Sequence, residues 1–412
     1  MKKYGWPIGM LVLVLFLTGC SERQELEKQA FVAVIGLDKG EKEHQIEVTF
    51  QISNPQVNTT QSAEAQNEEP SNIVTITAVD LLSAKELVQT SLSREITFSH
   101  LRTIIVGEKL AKEDLFRHVI GSAIIDPEMR REAIMIVSKE PAQDFIHANK
   151  PTMETRPHKY YEFMEDNWKN TGFVPISNLN VFFQRTEGEL FLAGYATAQK
   201  DPEYEKNDDT YLAGEVPQSG GDPVEMIGSA VMQKGRMVGT LNGEETRLSL
   251  LLRRKNLLKT MITTFPDPLN EDYRISVVVG QGPKTKVKVN TDRSPPEVDV
   301  VVPIVLKINS NIALEDYTVS KQRQEALKKM VKTKMEQASD KLIEKIQEEY
   351  KGEPFVWYAT ARKNFRTTGD FERYDWGEQF KKADVHVSFE VTIESFGQQL
   401  RPPTLNKREK DE

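Results

Sequence analysis

The sequence contains one cysteine, Cys20, in 412 residues. A lone cysteine closes no intramolecular disulfide and excludes both multi-cysteine zinc sites and CxxC redox pairs. Histidine is also scarce: the six (His44, His100, His118, His147, His158 and His386) are scattered, with no pair at metal-ligand spacing. Each reads as a surface or structural histidine. No G-x-G-x-x-G, Walker A, H-E-x-x-H or G-x-S-x-G occurs, so the common nucleotide, zinc and hydrolase signatures are missing. Carboxylates are plentiful and a glycosidase needs only two, but the sequence singles out no pair. The expectation is a protein that is not an enzyme and has no catalytic, cofactor-binding or metal-binding residues. Positive charge is in deficit, with 54 Lys and Arg against 62 Asp and Glu and a net charge of −8. Without a basic field to hold phosphates, nucleic acid is not an expected partner.

Long apolar runs are missing too. The single stretch of note lies at the start, where the basic pair Lys2-Lys3 precedes a largely apolar segment from Trp6 to Phe16. That is signal-peptide length and falls short of the roughly 20 residues of a spanning helix. It ends in Leu17-Thr18-Gly19-Cys20, which resembles a bacterial lipobox. In such a motif the cysteine thiol becomes a thioether to diacylglycerol and the bond between Gly19 and Cys20 is cut, leaving Cys20 as a lipidated N-terminus. Loss of residues 1–19 removes Lys2 and Lys3 and takes the net charge from −8 to −10. An anionic chain is not drawn to anionic phospholipid, so attachment is expected to come from the acyl chains, at about 0.8 kcal/mol per buried methylene. A 1–19 signal peptide and an extracytoplasmic remainder are therefore expected.

With 38% apolar and 28% charged residues, the rest reads as folded protein of two or three domains. The apolar run Phe31–Leu37 reads as a buried strand forming a hairpin with His44–Asn54, which alternates with period 2, and period 2 recurs at Val385–Ile393, where Val385, Val387, Phe389, Val391 and Ile393 alternate without a miss. That last strand is expected to be central to its core. Asp80 is placed to cap a helix with Leu81, Ala84, Leu87, Val88, Ser91 and Leu92 inside. Further helices are predicted over Glu113–Ile124, Ala142–Ala148 and His158–Lys169, and strands at Ile73–Ala78, Leu101–Val106, Ala133–Val137, Val181–Phe183 and Leu190–Ala196. The stretch from Pro55 to Asn72 has almost no apolar residues and reads as a surface loop. A longer helix is predicted between Ser320 and Tyr350 from the stripe Leu327, Val331, Met335, Ala338, Leu342 and Ile346. Its basic part, Lys321 to Lys334, is interleaved with acids and reads as a solvated face. Trp376 is expected to plug the end of this helix.

The acidic, then Gly/Pro-rich, segment at 199–224 reads as a linker between an N-terminal α+β region (20–198, two subdomains) and a C-terminal α+β domain (225–400), with a polar tail at 401–412. The fold class is α+β, multi-domain, with mostly antiparallel mixed sheets, packed helices and an unusual topology, and without a regular βαβ rhythm.

Five separated blocks carry a family likeness: LTGCSERQELEKQAFVAVIGLDKG, SREITFSHLRTIIVGEKLAKEDL, DPEMRREAIMIVSKEPAQDFI, GSAVMQKGRMVGTLNGEETRLSLLL and YDWGEQFKKADVHVSFEVTIESFG. In these the chain resembles the Ger(x)C lipoproteins, C subunits of the nutrient germinant receptors of endospore-forming bacteria. Ser21-Glu22 stands where that family usually has Trp-Asp. The resemblance implies a lipid-anchored protein on the outer face of the spore inner membrane, acting with a polytopic A subunit and a transporter-like B subunit, and a three-domain fold of unusual topology. It carries over one functional residue, the lipid cysteine Cys20. A free-standing extracytoplasmic lipoprotein that binds a ligand or the cell wall is the other reading.

Overall fold

Two β-sheets organise the chain. The computed structural model describes residues 28–54, 69–185, 190–204, 206, 209–255, 258 and 260–397. The first sheet begins as an antiparallel meander of β1 (Gln29–Lys39), β2 (Ile46–Ser53) and β3 (Ser71–Ala78), with Ile35 opposite Phe50 and Phe50 opposite Val74. On its other edge β1 pairs in parallel with the short β4 (Glu95–Thr97) and with β5 (Thr103–Gly107). The parallel run continues through β6 (Ile134–Ser138) and β7 (Phe191–Thr197). Every residue of β5, β6 and β7 is buried, as continuous apolar strands covered on both faces require.

Helices supply both covers. On one face lie α1 (Leu81–Val88), α2 (Glu108–Ala111) and α3 (Asp114–Ala123), whose Leu81, Ala84, Leu110, Phe116 and Ile120 join Ile35, Ile104 and Val106. On the other lie α4 (Ala142–Ala148) and α5 (Pro157–Thr171), whose Phe145, Tyr160 and Trp168 join Val34, Ile105 and Ile136. Asp80 caps α1 through Ser83 N–H at 2.7 Å as expected, but Leu87 points to solvent at 46% exposure because the helix buries only Leu81, Ala84 and Val88. The predicted strand at Val181–Phe183 is instead the helix α6 (Leu179–Arg185). A short apolar run fits either element by periodicity; here Asn178 Oδ1 accepts the Val181 N–H, and Leu179 and Phe182, three apart, enter the core.

The sheet does not stop at 199–224. β8 (Glu225–Gln233) returns antiparallel to β7, and β9 (Arg236–Leu241) pairs with β8 through a tight turn in which Lys234 (φ 49°) and Gly235 (φ 78°) are both left-handed. The segment read as a linker thus joins two hydrogen-bonded strands of one sheet. It is itself folded onto the sheet: Tyr211 and Ala213 are buried, and Gly214 N–H donates to Glu225 Oε1 at 2.8 Å.

After α7 (Gly243–Leu251) comes the second sheet: β10 (Thr260–Asp267), β11 (Asn270–Gln281), β12 (Lys286–Asn290), β13 (Glu297–Asn311) and β14 (Asp384–Ser395). β11 and β12 pair with successive parts of β13, and β14 runs parallel along its other side. The final strand is an edge of its sheet, while its apolar face lies in the core as expected. Its alternation still holds, with Phe389 fully buried, because α8 (Lys321–Glu349) packs across it through Leu327, Val331, Met335, Leu342 and Ile346. Between α8 and β14 lie the short helices α9 (Tyr358–Ala361), α10 (Thr368–Tyr374) and α11 (Trp376–Phe380). Leu192, Val231 and Leu241 of the first sheet belong to the same core as Val277, Val300, Leu342 and Phe389 of the second. The fold is α+β with mixed sheets, but β5, β6 and β7 do form consecutive parallel strands with helical crossovers. Crossovers of very different length hid that rhythm in the sequence.

Candidate functional site

Gly19 and Cys20, the predicted cleavage and lipidation residues, lie outside the described residues, as do the 1–19 signal segment, the 401–412 tail and most of the Pro55–Asn72 loop. Of the histidines, His100 stacks on Phe31 with ring centroids 4.3 Å apart, and burial, then Arg130 and Arg102, lower its pKa. His158 is lowered likewise by burial, then by Lys159 and Arg156. Among the described residues no group of three or more His, Cys, Asp or Glu is placed to hold a metal ion, and no helix is long and apolar enough to cross a membrane. The basic part of α8 is a surface with local ion pairs, Lys328 to Glu325 at 3.0 Å and Lys332 to Glu336 at 3.8 Å. Trp376 is buried beside Phe380, at the place where Gln347 near the end of α8 donates to the Phe380 and Ala383 carbonyls.

The most elaborate polar construction is one that the sequence did not single out, the joint between the sheets. Arg247 on α7 is 3% exposed and reaches three separate parts of the chain. Its Nε donates to the Thr171 carbonyl at the end of α5 (2.9 Å), and one η nitrogen donates to the Ile262 carbonyl on β10 (3.0 Å) and pairs with Asp209 (3.0 Å). Its guanidinium carbon lies 3.4 Å from the centroid of the Phe173 ring. A buried charge is tolerable only when paired and hydrogen-bonded this fully. One turn earlier, Asn242 and Glu245 form a reciprocal capping box at the N-terminus of α7, and Lys345 of α8 pairs with Glu245 at 2.9 Å. Asp209, Asn242, Glu245 and Arg247 border a cleft of about 380 Å³ between α7, β10 and α8. Glu244 lines it, its pKa raised by burial, then by Asp209 and Glu245. Arg247 is paired with Asp209 and Glu245 with Lys345, so the chemistry on offer is fastening of the sheets to one another. The sequence signal that could have marked it is an arginine at an inward position of a short helix.

Residues 22–196 match the family described as spore germination protein N-terminal domain, and residues 227–397 match that described as spore germination B3/GerAC like, C-terminal. The chain belongs to the Ger(x)C family of spore germination proteins. Among curated relatives from Bacillus subtilis (strain 168), YfkR is 23% identical over 94% of this chain and 95% of its own length. Spore germination protein B3 is 22% identical over 94% of this chain and 96% of its own, and spore germination protein KC is 28% identical over 33% and 34%. The crystal structure of the GerBC protein is similar, with 18% identity and a TM-score of 0.48, covering 87% of this chain and 96% of that one. In this Ger(x)C protein Arg247 sits in the second matched stretch, Thr171 in the first and Asp209 between them. The joint thus ties the two family segments together.

Proposed function

We propose that the chain is the C subunit of a nutrient germinant receptor, held by a diacylglyceryl group on Cys20 to the outer face of the spore inner membrane, where it acts with the integral membrane A and B subunits. The reading is carried by one conjunction. A chain that matches the spore germination family in both halves has its sole cysteine at the end of Leu17-Thr18-Gly19-Cys20. The absence of a spanning helix among the described residues accords with attachment through lipid, and two long acyl chains supply anchoring of on the order of 20 kcal/mol gross. In this role the protein does no bond chemistry. Its part is to engage its partners from a tether, with the two family segments fastened to one another by the Arg247 joint.

Membrane fractionation tests the proposal. Wild type should sediment with the membrane and co-purify with integral membrane A and B subunits. Cys20→Ala should remain unprocessed or pass to the soluble fraction, and nutrient-triggered germination should fall. Processing and membrane retention equal to wild type, with the partner subunits deleted, would remove the lipid anchor. Isolation without any integral membrane protein would point to a free-standing ligand- or wall-binding lipoprotein.

A further inference from the structure

Three remote pieces of chain bring basic groups to one place. Arg185 ends α6, Arg253-Arg254-Lys255 follow α7, and Lys363 follows α9. Together they wall a pocket of about 350 Å³, with Val356 at its edge. Its described lining holds five basic side chains and no acidic one. Arg254, Lys255 and Lys363 are exposed, and Arg185 is half-buried. Arg253 is only 9% exposed. Its Nε donates to the Pro354 carbonyl at 3.2 Å, the one hydrogen bond of its guanidinium among the described residues, and the side chain lines the pocket. This is the reverse of Arg247, whose charge is met by Asp209 and two carbonyls.

The nearby buried acid, Glu353, offsets that charge only in part, by electrostatic attraction to Arg253 and Arg185. Glu353 forms no ion pair with the five cations among the described residues, its Oε1 accepts the Tyr358 N–H at 2.7 Å, and burial weakens it as an acid. Like charges converging on a partly dry pocket repel one another, and a buried arginine without a counter-ion is costly. An anion in the pocket would relieve both. Arginine forks suit oxyanions bidentately, and five cations match a multiply charged tetrahedral group better than a single carboxylate. We propose that this pocket binds a phosphate-class anion, supplied either by a free phosphate or by a phospholipid headgroup.

Full-length protein in detergent, titrated with inorganic phosphate at ionic strength held constant by sodium chloride, tests this by unfolding midpoint and calorimetry. A saturable rise is expected with phosphate and not with chloride. Arg254→Gln/Lys255→Gln/Lys363→Gln, which alters exposed side chains only, should weaken the apparent affinity by about tenfold or more. Arg253→Gln should weaken it further; should that variant fail to fold, the triple variant decides alone. Vesicles of phosphatidylcholine containing phosphatidic acid separate the sources. Competition with inorganic phosphate assigns a lipid headgroup, and phosphate binding without competition assigns a solute. No saturable response beyond chloride, or an unchanged affinity in the triple variant, overturns the site.

Discussion

Asp38 caps a helix that begins at Ala142. Its Oδ1 accepts the Ala142 N–H at 2.7 Å and its Oδ2 accepts the Gln143 N–H at 2.9 Å, so the end of β1 satisfies the open N-terminus of α4, which has no side-chain cap from its own Pro141. Burial raises the Asp38 pKa while these two bonds hold it down. Asp38→Ala orphans one buried and one half-buried amide group and should cost about 2–4 kcal/mol, with Asp38→Asn in between, since one acceptor survives. Urea unfolding measures both; a loss below about 0.5 kcal/mol for the alanine variant would mean that water replaces the carboxylate.

Gly107 explains why that carboxylate fits. A Cβ there would lie 2.1 Å from Asp38 Oδ1 and 3.3 Å from Ala142 N. Gly107→Ala should therefore destabilise by displacing the cap, and combined with Asp38→Ala it should add less than its single-variant loss. Strict additivity in that double-mutant cycle would show that the clash is relieved elsewhere.

Phe389 and Glu390 are neighbours with opposite fates on β14: one is fully buried under α8, the other exposed. Phe389→Asp combines lost apolar burial with an unpaired buried carboxylate and should cost several kcal/mol, whereas Glu390→Lys should stay within about 0.5 kcal/mol. Equal losses on thermal unfolding would mean that the strand register is different.

Arg247 should tolerate no replacement fully. Arg247→Met leaves Asp209 unpaired beside Glu244 and should cost about 3–5 kcal/mol. Arg247→Lys keeps the charge but cannot serve Thr171, Ile262 and Asp209 from one planar group, so an intermediate loss is expected. If both variants unfold at the wild-type midpoint, the joint does not fasten the sheets.

Glu353 gives a pH signature. Burial raises its pKa from the ordinary 4.5 to about 7, so the folded protein holds this proton more tightly than the unfolded chain. Stability from this group is full below 4.5 and is lost as the pH rises through about 7, with no further change above. Glu353→Gln, permanently neutral, should gain on wild type across that window. Denaturation curves for the two that shift in parallel with pH would show that Glu353 does not titrate there.

The sequence by itself determined the elements whose physics is local. Asp80 capped α1, the Lys234-Gly235 turn made its hairpin, the 3–4 spacing of Leu327 to Ile346 made one long helix, and alternation buried Phe389. The five sequence blocks likewise pointed to the family, since side-chain order survives without coordinates. What only the tertiary structure decided were relationships between residues far apart in the chain. A Gly/Pro-rich, acidic stretch looks like a boundary whether or not its flanking strands pair, and here β7 and β8 do. Period 2 reports which face of a strand is buried and nothing about its lateral neighbours, so β14 could be read as buried but not as an edge. Asp38, Arg247 and Arg253 are ordinary polar residues in sequence. Burial alone gave each its role, because a charge removed from water must find a partner, and which partner is fixed by the three-dimensional path of the chain.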